Sequence, residues 1–302
     1  MSRPGASVPR VVIVTRRTDL ELLVHRHGTR GQARFFLESR GQKLEELERR
    51  HSRFEVALHL ALAAIPLEWR HTRLDRADLD RFVFEPDDII VAIGQDGLVA
   101  NVAKYLDEQR VVGLNPEPDR YDGVLVPHPP SRIGQLLAAA RAPSAEVEAR
   151  TMVEAQLDDG QRIVALNELF VGHQTHQSAR YRIAWQGAEE RHSSSGLIVS
   201  TGTGATGWAR SIHLRRVTDV VLPKPSDRRL AFFVREAFPS RATSTELTDG
   251  TIGDGEELSV TSEMNDRGVV FGDGIEEDRV DFGWGTTARI RVATSRLMLL
   301  RG

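Results

Sequence analysis

The chain is expected to fold as an α/β domain built on a parallel sheet, followed by a β-rich domain. Three observations carry this. Residues 11–14 and 88–93 hold short β-branched runs of the kind buried on both faces of a sheet. Helical stretches separate them, in the order strand, helix, strand, turn, helix, strand, which is the grammar of a parallel sheet covered by helices. Beyond about residue 143 the texture changes to short strand-like runs divided by turns. The length of 302 residues suits two domains at roughly 150 each. The boundary is set at 142/143, giving domains 1–142 and 143–302, with the last strands free to pack back on the first.

Taken in order, residues 11–14 read as a buried strand. A long charged stretch, 18–62, follows. Its second half, 44–62, is rich in Leu, Glu and Arg and reads as a helix with Leu44, Leu47, Phe54, Leu58 and Leu62 near one face. The Arg-rich segment 70–81 is balanced by Asp75, Asp78 and Asp80 and reads as a solvated helix face. The strand at 88–93 ends in Gly94-Gln95-Asp96-Gly97, and residues 98–106 look helical. Residues 111–115 form a third short strand, and a turn at 127–130 leads into a helix over 131–137. In the second half, strand-like runs fall at 151–157, 162–166, 181–185, 197–200, 230–234, 257–262, 268–271 and 288–293. Asp158-Asp159-Gly160 is a hairpin-type turn. Pro223 and Pro225 among polar residues mark an exposed connection.

Composition excludes several functions. Forty basic against 43 acidic residues leave a net charge of -3, too little to grip nucleic acid by bulk charge. With no cysteine there is no disulfide, thiolate metal site or cysteine nucleophile. No apolar run approaches the ~20 residues that span a bilayer. Residues 1–10 lack the apolar core of an export signal, so a cytoplasmic location is expected. His173 with His176, and His25 with His27, have metal-like spacing without a third ligand nearby, and no metal site is expected from them.

Three segments can carry chemistry. At 94–97 an apolar strand delivers a Gly-x-Asp-Gly turn into a helix start. Ligands gather beyond the carboxyl ends of parallel strands, and free N–H groups at a helix start favour anions. Gly94, Gln95 and Gly97 would then face phosphates, with Asp96 free to accept a proton or hold a metal; the alternative is a simple turn with Asp96 as a cap. Residues 193–211 carry a strand into a loop dense in Gly and Thr: Thr201, Gly202, Thr203, Gly204, Thr206 and Gly207, then Trp208 and Ser211. Gly202, Gly204 and Gly207 match G-x-G-x-x-G, but late in the chain and in β-rich surroundings, which weakens a dehydrogenase reading. Exposed N–H groups and threonine hydroxyls suit ribose, amide or phosphate. The third segment is Asn167-Glu168 inside an apolar run. The pair either sits at a strand end and meets a ligand, or closes an internal network.

Together these segments resemble the NAD kinase family, in places its mitochondrial-type branch. Gly94-Gln95-Asp96-Gly97-Leu98 is similar to the family's Gly-Gly-Asp-Gly-Thr turn. Val111-Val112-Gly113-Leu114-Asn115, Asn167-Glu168 and Ser200-Thr201-Gly202-Thr203-Gly204 are similar to its later segments, as are Val234-Arg235-Glu236 with Arg241 and the Asp273-Gly274 turn. The resemblance implies an N-terminal Rossmann-like parallel-sheet domain and a C-terminal β-sandwich-like domain of the NAD kinase type. It implies transfer of a phosphoryl group from ATP, with Mg2+, to the 2′-hydroxyl of the NAD adenosine ribose. Asp96 would be the general base, Gly94 to Gly97 would face the phosphates, and Asn167 and Glu168 would hold a ribose. Thr206, Gly207, Trp208 and Ser211 would line the NAD pocket, beside Thr201, Thr203 and Gly204. A homodimer or homotetramer is implied. Gln95, Leu98 and Ser195 depart from the family pattern. Gln95 would add strain if its backbone needed φ > 0, and Leu98 removes a hydroxyl donor. A non-catalytic NAD(P) sensor and a kinase of altered donor or acceptor are the alternatives.

Overall fold

The computed structural model describes residues 8–301, so residues 1–7 of the segment read for an export signal lie outside the described residues. Two compact units divide the chain. One takes in the chain up to Glu148 and again from Met298, and the other is Ala149–Leu297.

The first unit opens with β1 (Arg10–Thr15), α1 (Asp19–His27), α2 (Arg30–Glu38) and α3 (Leu44–Ala63). It continues with β2 (Arg70–Asp75), β3 (Ile89–Ile93), α4 (Asp96–Ala103), β4 (Arg110–Leu114) and α5 (Ile133–Arg141). The strands are parallel in the order β2-β1-β3-β4, and Met298 and Leu299 pair in parallel with Arg110 and Val111. Val11 to Val14 are fully buried, as the β-branched run requires of an inner strand. Phe54, Leu58 and Ala61 of α3 pack with Leu136 and Leu137 of α5 against Ile13 and Val91 of the sheet.

Several local expectations are corrected here. Leu62 is 38% exposed rather than part of the apolar face of α3. Residues 18–43 contain two short helices; α1 starts on a capping box in which Thr18 and Glu21 satisfy each other's backbone N–H groups. Residues 70–81 are not a helix face. Residues 70–75 are β2, an edge strand with only Leu74 buried, and residues 76–81 form a 3-10 turn. Its charges face solvent because an edge strand has one side to protect from further pairing.

The second unit draws on β5 (Val147–Leu157), β6 (Arg162–Ala165), β7 (Glu168–His173), β8 (Ala179–Trp185), β9 (Ala188–Ser194) and β10 (Leu197–Ser200). A single short helix, α6 (Trp208–His213), precedes β11 (Arg229–Val234), β12 (Asp249–Gly253) and β13 (Leu258–Ser262). β14 (Gly268–Gly272), β15 (Ile275–Asp281) and β16 (Thr287–Leu300) follow. Six strands form an antiparallel sheet in the order β12-β11-β10-β7-β14-β15. Opposite it lie β16, β13, β8 and β9, with β5 and β6 beside β16. Val171, Val199 and Phe232 from the first sheet share one apolar cluster with Val153, Tyr181 and Ile290 from the second. That common core makes the unit a β-sandwich, and the expected class of α/β plus β-rich holds. Pro223 is buried, and the Pro225 carbonyl accepts from the Thr151 amide at 2.9 Å. The proline segment is therefore packed in place rather than an exposed connection. Among the described residues no helix is long and apolar enough to cross a membrane.

Candidate functional site

In the first unit the Gly94–Gly97 turn joins the carboxyl end of β3 to the start of α4. The Gly94 amide donates to the Leu114 carbonyl at 3.0 Å, which ties the turn to the end of β4. Gln95 takes φ −108°, so the strain anticipated for a side chain here does not arise. Leu98 is 3% exposed and belongs to the core of the unit, not to a surface where a threonine hydroxyl would meet phosphate.

Asp96 is neither a bare turn residue nor a cap of its own helix. Its Oδ1 accepts from the Leu125 and Val126 amides at 2.9 and 3.2 Å, and Oδ2 accepts from the Val124 amide at 3.1 Å. The carboxylate thus fastens the loop that follows β4. That loop lies against β4 because residue 113 is glycine: a Cβ there would stand 2.0 Å from the Leu125 carbonyl oxygen. Oδ2 carries one hydrogen bond and retains acceptor capacity.

A cleft opens beside this turn, with Arg16, Thr18, Arg50, His51, Gln95 and Asn115 on its walls. Arg50 is committed to Asp19 at 2.7 Å and Glu117 at 3.1 Å. The Thr18 hydroxyl meets His51 Nδ1 at 3.0 Å. Arg16 donates from Nη2 to Gln95 Oε1 at 3.0 Å.

In the second unit, strand register gathers the other segments. β10 runs antiparallel to β7 with Ser200 opposite Glu168, and β14 runs antiparallel to β7 with Gly272 opposite Leu169. The Asn167-Glu168 pair, the glycine–threonine loop and the Asp273-Gly274 turn therefore lie at the same end of three adjacent strands. Asp273 and Gly274 have φ 57° and 70°, the left-handed pair of a tight hairpin turn. Asp273 turns its carboxylate onto the amides of Leu166 at 3.1 Å and Asn167 at 2.6 Å. Its own amide donates to the Glu168 carbonyl at 3.0 Å.

Thr201 closes the knot from the other side. Its amide donates to the Asn167 carbonyl at 2.9 Å and its hydroxyl to the Leu166 carbonyl at 2.5 Å. The same hydroxyl accepts from the Thr203 and Gly204 amides at 3.1 and 3.3 Å. Thr206 donates its hydroxyl to the Thr203 carbonyl at 3.1 Å. Of the three threonine hydroxyls expected to face a ligand, two are therefore used within the loop. Thr203 Oγ1 is buried with no hydrogen-bond partner among the described residues. Thr206, Gly207 and Ser211 are exposed, and the Ser211 hydroxyl donates to the Trp208 carbonyl at 2.8 Å.

Gly204 is required by this packing. A Cβ there would stand 2.2 Å from the Asn167 carbonyl oxygen, a backbone atom that cannot swing away. Gly204→Ala should cost ~1–3 kcal/mol in urea denaturation, the usual scale of overpacking, with a change in the near-ultraviolet spectrum of Trp208. A variant as stable as the wild type would show that the loop has room to shift.

Asn167-Glu168 sits at the start of β7, and its backbone forms the internal network offered as one of the two alternatives. The backbone of the pair is inside the network, while the two side chains make no hydrogen bond among the described residues. Burial, reinforced by the repulsion of Asp273, pushes the Glu168 carboxyl up to about 7.

Trp208 lies nearly parallel to Phe170, with centroids 6.1 Å apart, and the Arg235 guanidinium stands 5.0 Å from its ring centre. Phe170, Trp208, Phe271, Arg235, His173 and Arg279 line one pocket. Phe170 and Phe271 were not singled out from the sequence. They are cross-strand partners in register, and alternation along β7 and β14 is the signal that pairs them. His173 Nδ1 accepts from the Thr175 amide at 3.1 Å, and among the described residues no group of three or more His, Asp or Glu converges to hold a metal.

No family model matches the chain. A curated relative, NAD kinase 2 of Geobacillus kaustophilus (strain HTA426), is 29% identical over 139 residues, 45% of this chain and 51% of the relative. The chain thus spans about half the length of the curated relative it matches. Among solved structures, an NAD kinase from Archaeoglobus fulgidus in complex with ATP is similar in fold, with a TM-score of 0.60 at 20% identity. That likeness covers 97% of this chain and 93% of the other. Yeast NADH kinase complexed with NADH superimposes with a TM-score of 0.65 at 12% identity, over 100% of this chain and 88% of the other.

Proposed function

We propose that this chain, similar in sequence to an NAD kinase over about half of that protein's length and similar in fold to an NAD kinase and an NADH kinase, is itself an NAD kinase and phosphorylates NAD. In this reading ATP, entering as its magnesium complex, gives its γ-phosphoryl group to the 2′-hydroxyl of the adenosine ribose. A bond forms from that oxygen to phosphorus, the bond from phosphorus to the bridging oxygen breaks, ADP leaves, and the hydroxyl proton passes to Asp96 Oδ2. The magnesium ion is part of the substrate, held mainly by the phosphates. Such a transfer asks little covalent chemistry of a protein beyond positioning and charge neutralisation.

The observation that carries the reading is the knot in the second unit. Asp273 and Thr201 hold the Asn167-Glu168 backbone from two sides and leave both side chains for a ribose diol. Asn can donate and accept, and Glu can accept two hydroxyls. Thr203, with its unpartnered hydroxyl, and Trp208, with its ring, supply further contacts for the dinucleotide. In the first unit Gly94, Gln95 and Gly97 would face the phosphates. The test is incubation with NAD, ATP and Mg2+ and measurement of NADP. No NADP with ATP, and none with inorganic polyphosphate, would remove the kinase reading.

One observation favours a second reading, a dinucleotide sensor without catalysis. Three backbone amides already occupy the Asp96 carboxylate. Calorimetry separates the two: a sensor binds NAD or NADP and shows no heat with ATP.

A further inference from the structure

The cleft in the first unit contains two guanidinium groups with very different partners. Arg50 is neutralised by Asp19 and Glu117, the two carboxylates that line the same cleft. Arg16 is half-buried, and among the described residues no carboxylate forms an ion pair with it. Its one hydrogen bond goes to a neutral amide, Gln95 Oε1, at 3.0 Å. An arginine has five N–H donors in a fixed fork, so most of this group remains available. It stands directly after β1, at the carboxyl edge of the parallel sheet and beside the end of β3, where ligands of such sheets collect.

Gln95 explains why Arg16 is held there. It is the residue before α4, yet its side chain makes no capping bond to the helix. The amide is turned to Arg16 instead. A carboxylate at that position would have cancelled the charge, whereas an amide orients the guanidinium and leaves its charge whole. Planar guanidinium groups match phosphate oxygens two at a time.

We infer that Arg16, oriented by Gln95, grips the polyphosphate chain of the phosphoryl donor. This deepens the kinase reading and rests on it for the identity of the donor. Arg16 is a binding residue and Gln95 a positioning residue.

The experiment uses the full chain and measures binding by calorimetry with two probes, ATP and inorganic tripolyphosphate, alongside steady-state kinetics at saturating NAD. Arg16→Ala should weaken both probes ~10-fold or more, the usual worth of a charged hydrogen-bonded contact, and raise the donor KM equally while the KM for NAD stays unchanged. Arg16→Lys should recover part of the loss, since it restores charge without the fork. Gln95→Glu is the deciding variant. It keeps and strengthens the bond to Arg16, so a merely structural pair would leave donor affinity intact; a donor clamp neutralised by a carboxylate should lose affinity about as Arg16→Ala does, at an undiminished melting temperature, and should add little further loss when combined with Arg16→Ala, whereas a second full loss in the double variant would mean that residue 95 repels the donor directly and Arg16 is not what it neutralises. Unchanged affinity for both probes in Arg16→Ala overturns the inference, and so does a loss confined to ATP, because the contact would then be to the nucleoside. A wild type that makes no NADP, yet binds tripolyphosphate in a manner lost with Arg16→Ala, would sink the kinase reading and leave this anion site standing.

Discussion

Replacing Asp96 with asparagine should lower NADP formation at least ~10²-fold while leaving NAD affinity nearly unchanged, the scale expected for loss of a general base. The structure makes this variant more informative than a simple deletion of charge. Asparagine keeps one oxygen, which can still accept from the buried-side amides of Leu125 and Val126 now bound by Oδ1. The Val124 amide loses its acceptor, but Val124 is 50% exposed and its N–H can turn to water. The cost to folding should therefore be only ~1 kcal/mol, about one net hydrogen bond. A large fall in turnover with so small a fall in stability separates proton transfer from loop fastening. If turnover survives intact, Asp96 serves the 124–126 loop alone and is not the general base.

Glu168→Gln should make the protein more stable at pH 8 and nearly unchanged at pH 4.5, with NAD bound ~10-fold more weakly where charged hydrogen bonds to the ribose are lost. The sign follows from proton linkage. In the fold the Glu168 carboxyl titrates at about 7, well above the 4.5 of an unhindered glutamate, because burial and Asp273 oppose its charge. The folded state therefore holds a proton that the unfolded chain releases earlier. Its stabilising contribution is complete below the unfolded value and is lost as pH rises through about 7. A shift of this size corresponds to up to about 3 kcal/mol of penalty at pH 8, which a neutral isosteric amide avoids. Urea denaturation at a series of pH values between 4.5 and 8 measures this directly. Parallel stability curves for the two proteins would mean that Glu168 ionises freely and that its surroundings do not oppose charge.

The Thr201 hydroxyl is structural: it donates to the Leu166 carbonyl and accepts from the Thr203 and Gly204 amides, three hydrogen bonds in all. Its fully buried side chain shows why a Gly/Thr-rich run need not be mobile: the hydroxyl, in place of a water, fixes two backbone amides.

The inner strands β1, β3, β10 and β11 were legible in the amino-acid sequence because both their faces are buried and their residues are accordingly apolar. β2, β9, β12 and β15 were not marked, and all four are edge strands. An edge has solvent on one flank, so β9 and β15 read Ala-Glu-Glu-Arg and Ile-Glu-Glu-Asp, and nothing local distinguishes them from loops. The sequence by itself therefore determined the order of domains, most of the buried strands (the inner strand β7 stood only as an apolar run around Asn167-Glu168), and the short polar segments Gly94–Gly97, Asn167-Glu168 and 200–204. It could not say where their side chains point. Only tertiary structure decided that Asp96 reaches the amides of 124–126, that Leu98 is core, that Gln95 holds Arg16, and that Asp273 fastens Asn167. These are contacts between residues from 28 to 107 positions apart, or 79 for Arg16 and Gln95. No periodicity within a segment encodes such pairs; strand register and the close approach allowed by a missing Cβ at Gly113 and Gly204 bring them together.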